Sequence, residues 1–179
     1  PKAMPGILFI DEDPVAASHP NRADICCFAG FVRLRQPFAP GREVLRWLDE
    51  QGWVKGPYSR PGYAQLLDVP VPVETWQQFN NLFDWEDRTG DGRSGAAYLG
   101  AAVRSFFAQG GRRCYVVRMG DPVPPLAPRS VRLPQLSRLL PGYPAQFSPS
   151  PADRSSWSGA GHIFGLSDVS FLCLPDLPD

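Results

Sequence analysis

Between Ala96 and Met119 an apolar helical stripe, a pair of glycines and an extended run with two apolar faces follow one another without a break. Leu99, Val103, Phe106 and Phe107 recur at i, i+4, i+7 and i+8, the spacing that gathers side chains on one side of an α-helix. The stripe predicts a helix over 96–109, with Ala101 and Ala102 small enough to let it approach a sheet closely. Gly110 and Gly111 stop it, because glycine takes the left-handed cap conformation without a Cβ penalty. The strand predicted over 113–119 starts at once. Cys114 and Val116 fall on one face, and Tyr115, Val117 and Met119 on the other, so it needs cover on both sides. A helix joined so tightly to a doubly covered strand is an α/β connection.

A second run has the same two-sided character. Ile25, Cys27, Ala29 and Phe31 alternate with Cys26, Phe28 and Val32, which predicts a central strand over 24–32. Arg42 to Gln51 reads as a helix with Val44, Leu45, Trp47 and Leu48 on one face and Gly52 placed to end it. Trp53 to Tyr63 is irregular. Leu66 to Val73 is extended, since Pro70 and Pro72 forbid a helix and disfavour a fully paired central strand. Glu74 to Asp84 reads as a helix with Trp76, Phe79, Leu82 and Phe83 on its stripe. Asp168 to Leu174 is a further strand, ending at Pro175.

Proline and glycine are abundant, 21 and 17 of 179 residues, close to the fraction at which low complexity becomes an option. The prolines cluster between strongly apolar segments, and so mark loops inside a folded protein. They crowd most between Asp121 and Ser156, where one short helical turn at Leu136 to Leu140 is expected. The predicted fold class is α/β: a central, mostly buried sheet flanked by helices, with an extended N-terminal arm and a Pro-rich insertion. The expected boundaries are 1–22 for the arm and its tether, 23–120 for the first part of the core, 121–156 for the insertion or surface excursion, and 157–179 for a last core strand. The chain stops soon after that strand, which suggests a continuation beyond Asp179.

Charge and composition narrow the function classes. Lys plus Arg equals Asp plus Glu at 18 each, so no net field draws a polyanion, and nucleic acid is not an expected partner. No apolar stretch reaches the length of about 18 residues that a membrane helix needs, so no membrane insertion is expected. Cys26, Cys27, Cys114 and Cys173 form no CxxC pair and lie in apolar runs, where reduced cysteine packs as a small hydrophobe. Metal and redox duty are the weaker alternatives, and a reducing compartment is the simpler expectation. The acidic loop Asp84 to Gly95 lacks the ligand spacing of a calcium loop and reads as a solvated turn.

No catalytic centre and no cofactor are expected. A nucleophile would have to combine one of the four cysteines with His19 or His162, and no nucleophile-elbow motif is present. The glycines at 159, 161 and 165 precede a strand instead of joining a strand to a helix, so they do not make a dinucleotide fingerprint. Arg112 and Arg113, with Arg104 and Arg118 nearby, have two readings. Cations at a helix C-terminus complement its dipole; Arg104, Arg112 and Arg113 also suit salt bridges between subunits.

Several strings resemble one family, in order along nearly the whole chain. Leu67-Asp68-Val69-Pro70-Val71-Pro72-Val73-Glu74-Thr75-Trp76-Gln77-Gln78-Phe79 and the segment Tyr98 to Arg118, ending Gly110-Gly111-Arg112-Arg113-Cys114-Tyr115-Val116-Val117-Arg118, are similar to the contractile tail sheath proteins of phages and phage-like injection systems. Pro5 to Glu12 resembles the family's N-terminal strand, Cys27 to Phe31 its first core strand, and Gly165 to Asp176 a strand near mid-protein. The family's C-terminal domain, which packs on the inner tube, has no counterpart among these residues.

The resemblance implies a structural subunit that polymerises around an inner tube and contracts to drive it through a target envelope. Its implied partners are neighbouring sheath subunits, the inner tube protein through a missing C-terminal region, and baseplate or cap proteins. It also implies assembly in the bacterial cytoplasm, within a phage tail or an injection particle. Terminal arms of the family add strands to neighbouring subunits. Ile7, Leu8, Phe9, Ile10, Asp11 and Glu12 have what strand addition needs, an extended apolar segment on a polar tether. The same run also suits an ordinary edge strand of its own domain. A non-polymerising sheath-like adaptor or cap component is the alternative function, and a cysteine-dependent enzyme a remote one.

Overall fold

The computed structural model describes residues 24–37, 39–54, 65–141 and 152–177. The expected arm, Ile7 to Glu12, lies outside the described residues, as does its tether. Parts of the irregular 53–63 stretch and of the Pro-rich 121–156 stretch lie outside them as well.

The two doubly apolar runs become adjacent strands of one sheet. β1 (Ile25–Gly30) is buried at every position. It runs parallel to β5 (Arg113–Arg118), with Cys26 opposite Cys114 and Phe28 opposite Val116. The numbering follows the chain: β2 (Arg33–Leu34), α1 (Arg42–Glu50), β3 (Pro70–Val73), α2 (Trp76–Leu82), β4 (Phe83–Asp84), α3 (Tyr98–Ala108), α4 (Arg129–Ser137) and β6 (Phe171–Cys173) complete it. Two 3-10 segments, Arg154–Ser156 and Gly159–Gly165, lie between α4 and β6.

The sheet order is β3-β5-β1-β6. β6 is parallel to β1, while β3 runs antiparallel to β5. The fold is thus α/β, with a mixed four-stranded sheet between helices. Opposite strand faces meet different helices. Phe28 packs edge-on against Phe106 of α3, with ring centroids 5.6 Å apart. Tyr115, in register with Cys27 on the other face, meets Trp47 of α1 at 5.9 Å. Burying such side chains contributes about 1.5–3 kcal/mol each. It explains why both alternating faces of β1 and β5 are apolar.

α3 ends as its glycines foretell. Gly110, at φ 88°, donates to the Phe107 carbonyl, and Gly111 donates to that of Phe106, the paired closure of a Schellman motif. Of the two alanines expected to let it approach the sheet, Ala102 is half-buried against the core and Ala101 is exposed, and Gly100 makes a further close approach to Trp85. A Cβ at Gly100 would collide with the Trp85 side chain.

Three elements differ from the sequence reading, each for a local reason. α2 starts one residue after Thr75, whose hydroxyl accepts from the Gln78 N–H while Gln78 accepts from the Thr75 N–H, a capping box. It ends at Leu82 instead of Asp84, because Phe83 and Asp84 pair as β4 with Leu34 and Arg33 of β2. In the Pro-rich stretch the helix is α4, earlier and longer than the turn expected at 136–140, and it tolerates Pro134 inside it. Its continuation delivers Leu139, fully buried, into the core. The last strand is shorter than the expected 168–174, and the glycines before it form a 3-10 segment. That segment is tied to the approach to β3: the Gly159 N–H donates to Asp68 Oδ1 at 2.9 Å, and His162 Nε2 lies 2.9 Å from the same atom.

Candidate functional site

Of the residues nominated from sequence, the arginines are described and the arm is not. Arg104 is exposed on α3, its guanidinium 5.5 Å from the Trp85 ring centroid. Arg112 is exposed and reaches Asp24 at 3.9 Å, while the main-chain N–H groups of Arg112 and Arg113 both donate to the Asp24 carbonyl. Arg113 turns toward Asp168, 3.5 Å away, and lies 5.0 Å from the Tyr115 ring centroid. Arg118 is no part of a surface patch. Buried, it donates through Nε to the Val32 carbonyl at 2.7 Å and pairs with Asp121. Burial lowers its pKa against the pull of Asp121. Each arginine has its own partner within the chain, and surface pairs such as Arg112–Asp24 contribute about 0–1 kcal/mol.

Among the described residues β6 is an edge of the sheet. β6 is three residues long, Phe171 is 39% exposed, and Leu172 and Cys173 are half-buried. Next to it runs a groove of about 640 Å³ whose apolar walls are Phe28, Ala102, Phe106 and Phe171. Asp24, Ser105 and Gln109 give it a polar rim. The sequence marks this strand as core because its residues are apolar. Its position at an edge depends on strand order, which periodicity does not encode.

The turn after β6 holds it in place. Asp176, 2% exposed, accepts the Phe31 N–H on Oδ2 at 2.9 Å. Gly30 makes room for that carboxylate, since a Cβ there would collide with Oδ2. No sequence signal singled out Asp176, a residue type rarely found fully buried without a partner.

The cysteines and histidine weighed for nucleophilic chemistry sit in the core. Cys26, Cys27 and Cys114 are buried and Cys173 is half-buried; all four are free thiols. Burial pushes the thiols of all four up, that of Cys27 to about 12. A thiol held protonated in this way makes a poor nucleophile at neutral pH. His162 is fully buried, with its ring edge-on to Trp53 and Nε2 on Asp68. In the acidic loop, Asp87 accepts from the Gly90 and Gly92 N–H groups, and Asp91 from Arg93 N–H and the Ser94 hydroxyl. These bonds hold the Asp91 carboxyl below the usual range and close the turn. Among the described residues no cluster of His, Cys, Asp or Glu is arranged to hold a metal ion, and no helix is long and apolar enough to cross a membrane.

The chain matches no protein-family model, and no curated protein matches it.

Proposed function

We propose that this chain is a subunit of a contractile tail sheath, joined to its neighbours by strand addition. The observation that carries the reading is the β6 edge, beyond which no further strand lies among the described residues, beside an apolar groove. An edge strand with a half-exposed aromatic, running parallel to its one neighbour among the described residues, is what an added strand pairs with. The sequence supplies a matching donor, Ile7 to Ile10, followed by Asp11 and Glu12. The collinear resemblance to sheath proteins is the second support. On this reading the α/β core positions arms and edges, and contraction draws on the difference between two packings of the same subunits. Partners are neighbouring copies, an inner tube and the baseplate or cap.

Expressing the intact gene together with its tube partner tests the proposal. Electron microscopy should reveal helical tubes or rings, and removing residues 1–12 should abolish them. Monomers in both cases would favour the sheath-like adaptor instead.

A further inference from the structure

On the sheet face opposite the β6 groove, α1, β5 and the segment leading into β6 enclose a second cleft. It measures about 320 Å³, near the lower end of small-molecule sites at roughly 300 Å³. Its walls are aromatic: Trp47, Trp53 and Tyr115. Gly165 lies flush against the Trp53 ring, where any side chain would collide with the indole.

Two guanidiniums enter this cleft from distant parts of the chain, and both are held in place. Arg154 donates to the Gln51 carbonyl at 3.0 Å and to Gln51 Oε1 at 3.1 Å, and its guanidinium stands 5.4 Å from the Trp53 ring centroid. Arg113 lies over Tyr115 and reaches Asp168. Charge is not balanced. Asp168 is the single carboxylate among the lining residues, and it already serves Arg113 and the Tyr115 hydroxyl, the latter at 3.0 and 3.1 Å. Among the described residues, Arg154 hydrogen-bonds the uncharged Gln51 at both its carbonyl and its side chain. Two wall residues also carry buried N–H groups with no partner, Trp53 Nε1 and Arg113 Nε. Those groups are closed to solvent, but over the lining residues two guanidiniums face one carboxylate, so a negatively charged acceptor is the group this cleft lacks.

We infer that the cleft is an oxyanion site that takes a carboxylate on a short stem. Arginine suits this chemistry because its planar fork pairs with carboxylate oxygens. Arg154 is fixed by Gln51 and the Trp53 ring and Arg113 by Asp168 and the Tyr115 ring, so little side-chain freedom is lost on binding. The carboxylate comes either from a free short-chain acid or from an acidic side chain on a neighbouring protein. The inference does not depend on the sheath reading.

The test follows the indole N–H signals of Trp47 and Trp53 by NMR in the full chain. One probe is succinate. The other is a blocked peptide with the sequence of residues 10–14, Ile-Asp-Glu-Asp-Pro, alongside its neutral form carrying Asp11→Asn, Glu12→Gln and Asp13→Asn. The expected result is a saturable shift with a Kd of about 1 mM, absent with the neutral peptide and weakened about tenfold by Arg154→Gln. Arg113→Gln should weaken it similarly, which covers the case in which one variant fails to fold. Response to succinate at least as strong as to the peptide assigns a free acid; a markedly tighter peptide assigns a protein carboxylate. If neither probe gives a saturable shift, or if the shift persists in a folded Arg154→Gln chain, the cleft is not a carboxylate site.

Discussion

The two edges of the sheet are finished in different ways. β3 is closed: Val71 and Val73 are fully buried, and Pro70 and Pro72 remove donors that a neighbouring strand would use. β6 keeps its donors, exposes Phe171 and borders an apolar groove. Among the described residues, one edge is built to end the sheet and the other lacks those devices. Stability should therefore be concentrated at β3 and in the strands between the edges, and association at β6.

The largest expected effect separates the middle of the sheet from its open side by pH. In the unfolded chain the thiols ionise near 9, whereas in the fold burial keeps those of Cys26, Cys27 and Cys114 protonated well above that. Burial, then the Asp168 charge, likewise raises Tyr115 from 10.0 to about 12. Above pH 9 the unfolded state binds fewer protons than the folded one, so stability must fall as pH rises. The limiting slope is on the order of 1.4 kcal/mol per pH unit for each thiol still protonated in the fold. Urea unfolding between pH 8 and about 10.5 reads this, and Cys27→Ala should flatten the curve. At pH 8 a thiol reagent should modify the half-buried Cys173 before the other three. Equal rates for all four would break the distinction.

Next in size is Asp176→Ala, which strands the buried Phe31 N–H and unpins the turn after β6. A loss of about 3 kcal/mol is expected in chemical unfolding, and a change below about 1 kcal/mol would mean that the turn does not hold the edge. Val71→Ala, at the closed edge, should cost about 2 kcal/mol through the cavity it leaves. Phe171→Lys should change stability by no more than about 0.5 kcal/mol, and on the proposed strand addition it should remove the self-association of the intact protein in sedimentation experiments. A sedimentation profile unmoved by that charge would place the contact elsewhere.

Legibility in the sequence followed period and punctuation. β1, β5, α1 and α3 were readable because their apolar residues repeat with one clear period and a glycine ends each helix. The Thr75–Gln78 capping box was also present in the sequence, although the helix was expected to begin at Glu74. Phe83 continues the helical stripe of α2, so its departure into β4 depends on pairing with Leu34, a tertiary effect. α4 was hidden by Pro134, which argues against a helix at every local level. Neither cleft nor groove could be read in advance. Arg113 and Arg154 converge only because β5 and the 3-10 segment at the end of the Pro-rich stretch meet on one face. Asp176 likewise has a role only once Phe31, 145 residues earlier, is beside it.

That separation has a consequence for how the molecule is made. β1 emerges from the ribosome well before its outer neighbour β6 and the aspartate that fastens it, which are among the last described residues to be synthesised. At about 5–20 residues per second, the β6 flank of β1 waits roughly 7 to 30 seconds for its cover, and for the first half of that time the β5 flank is bare as well. During that interval the nascent chain exposes an apolar strand that any similar strand could capture, including one on an adjacent nascent chain. Cells making many copies at once would need to guard that flank, by slow initiation or by a chaperone, until translation reaches Asp176.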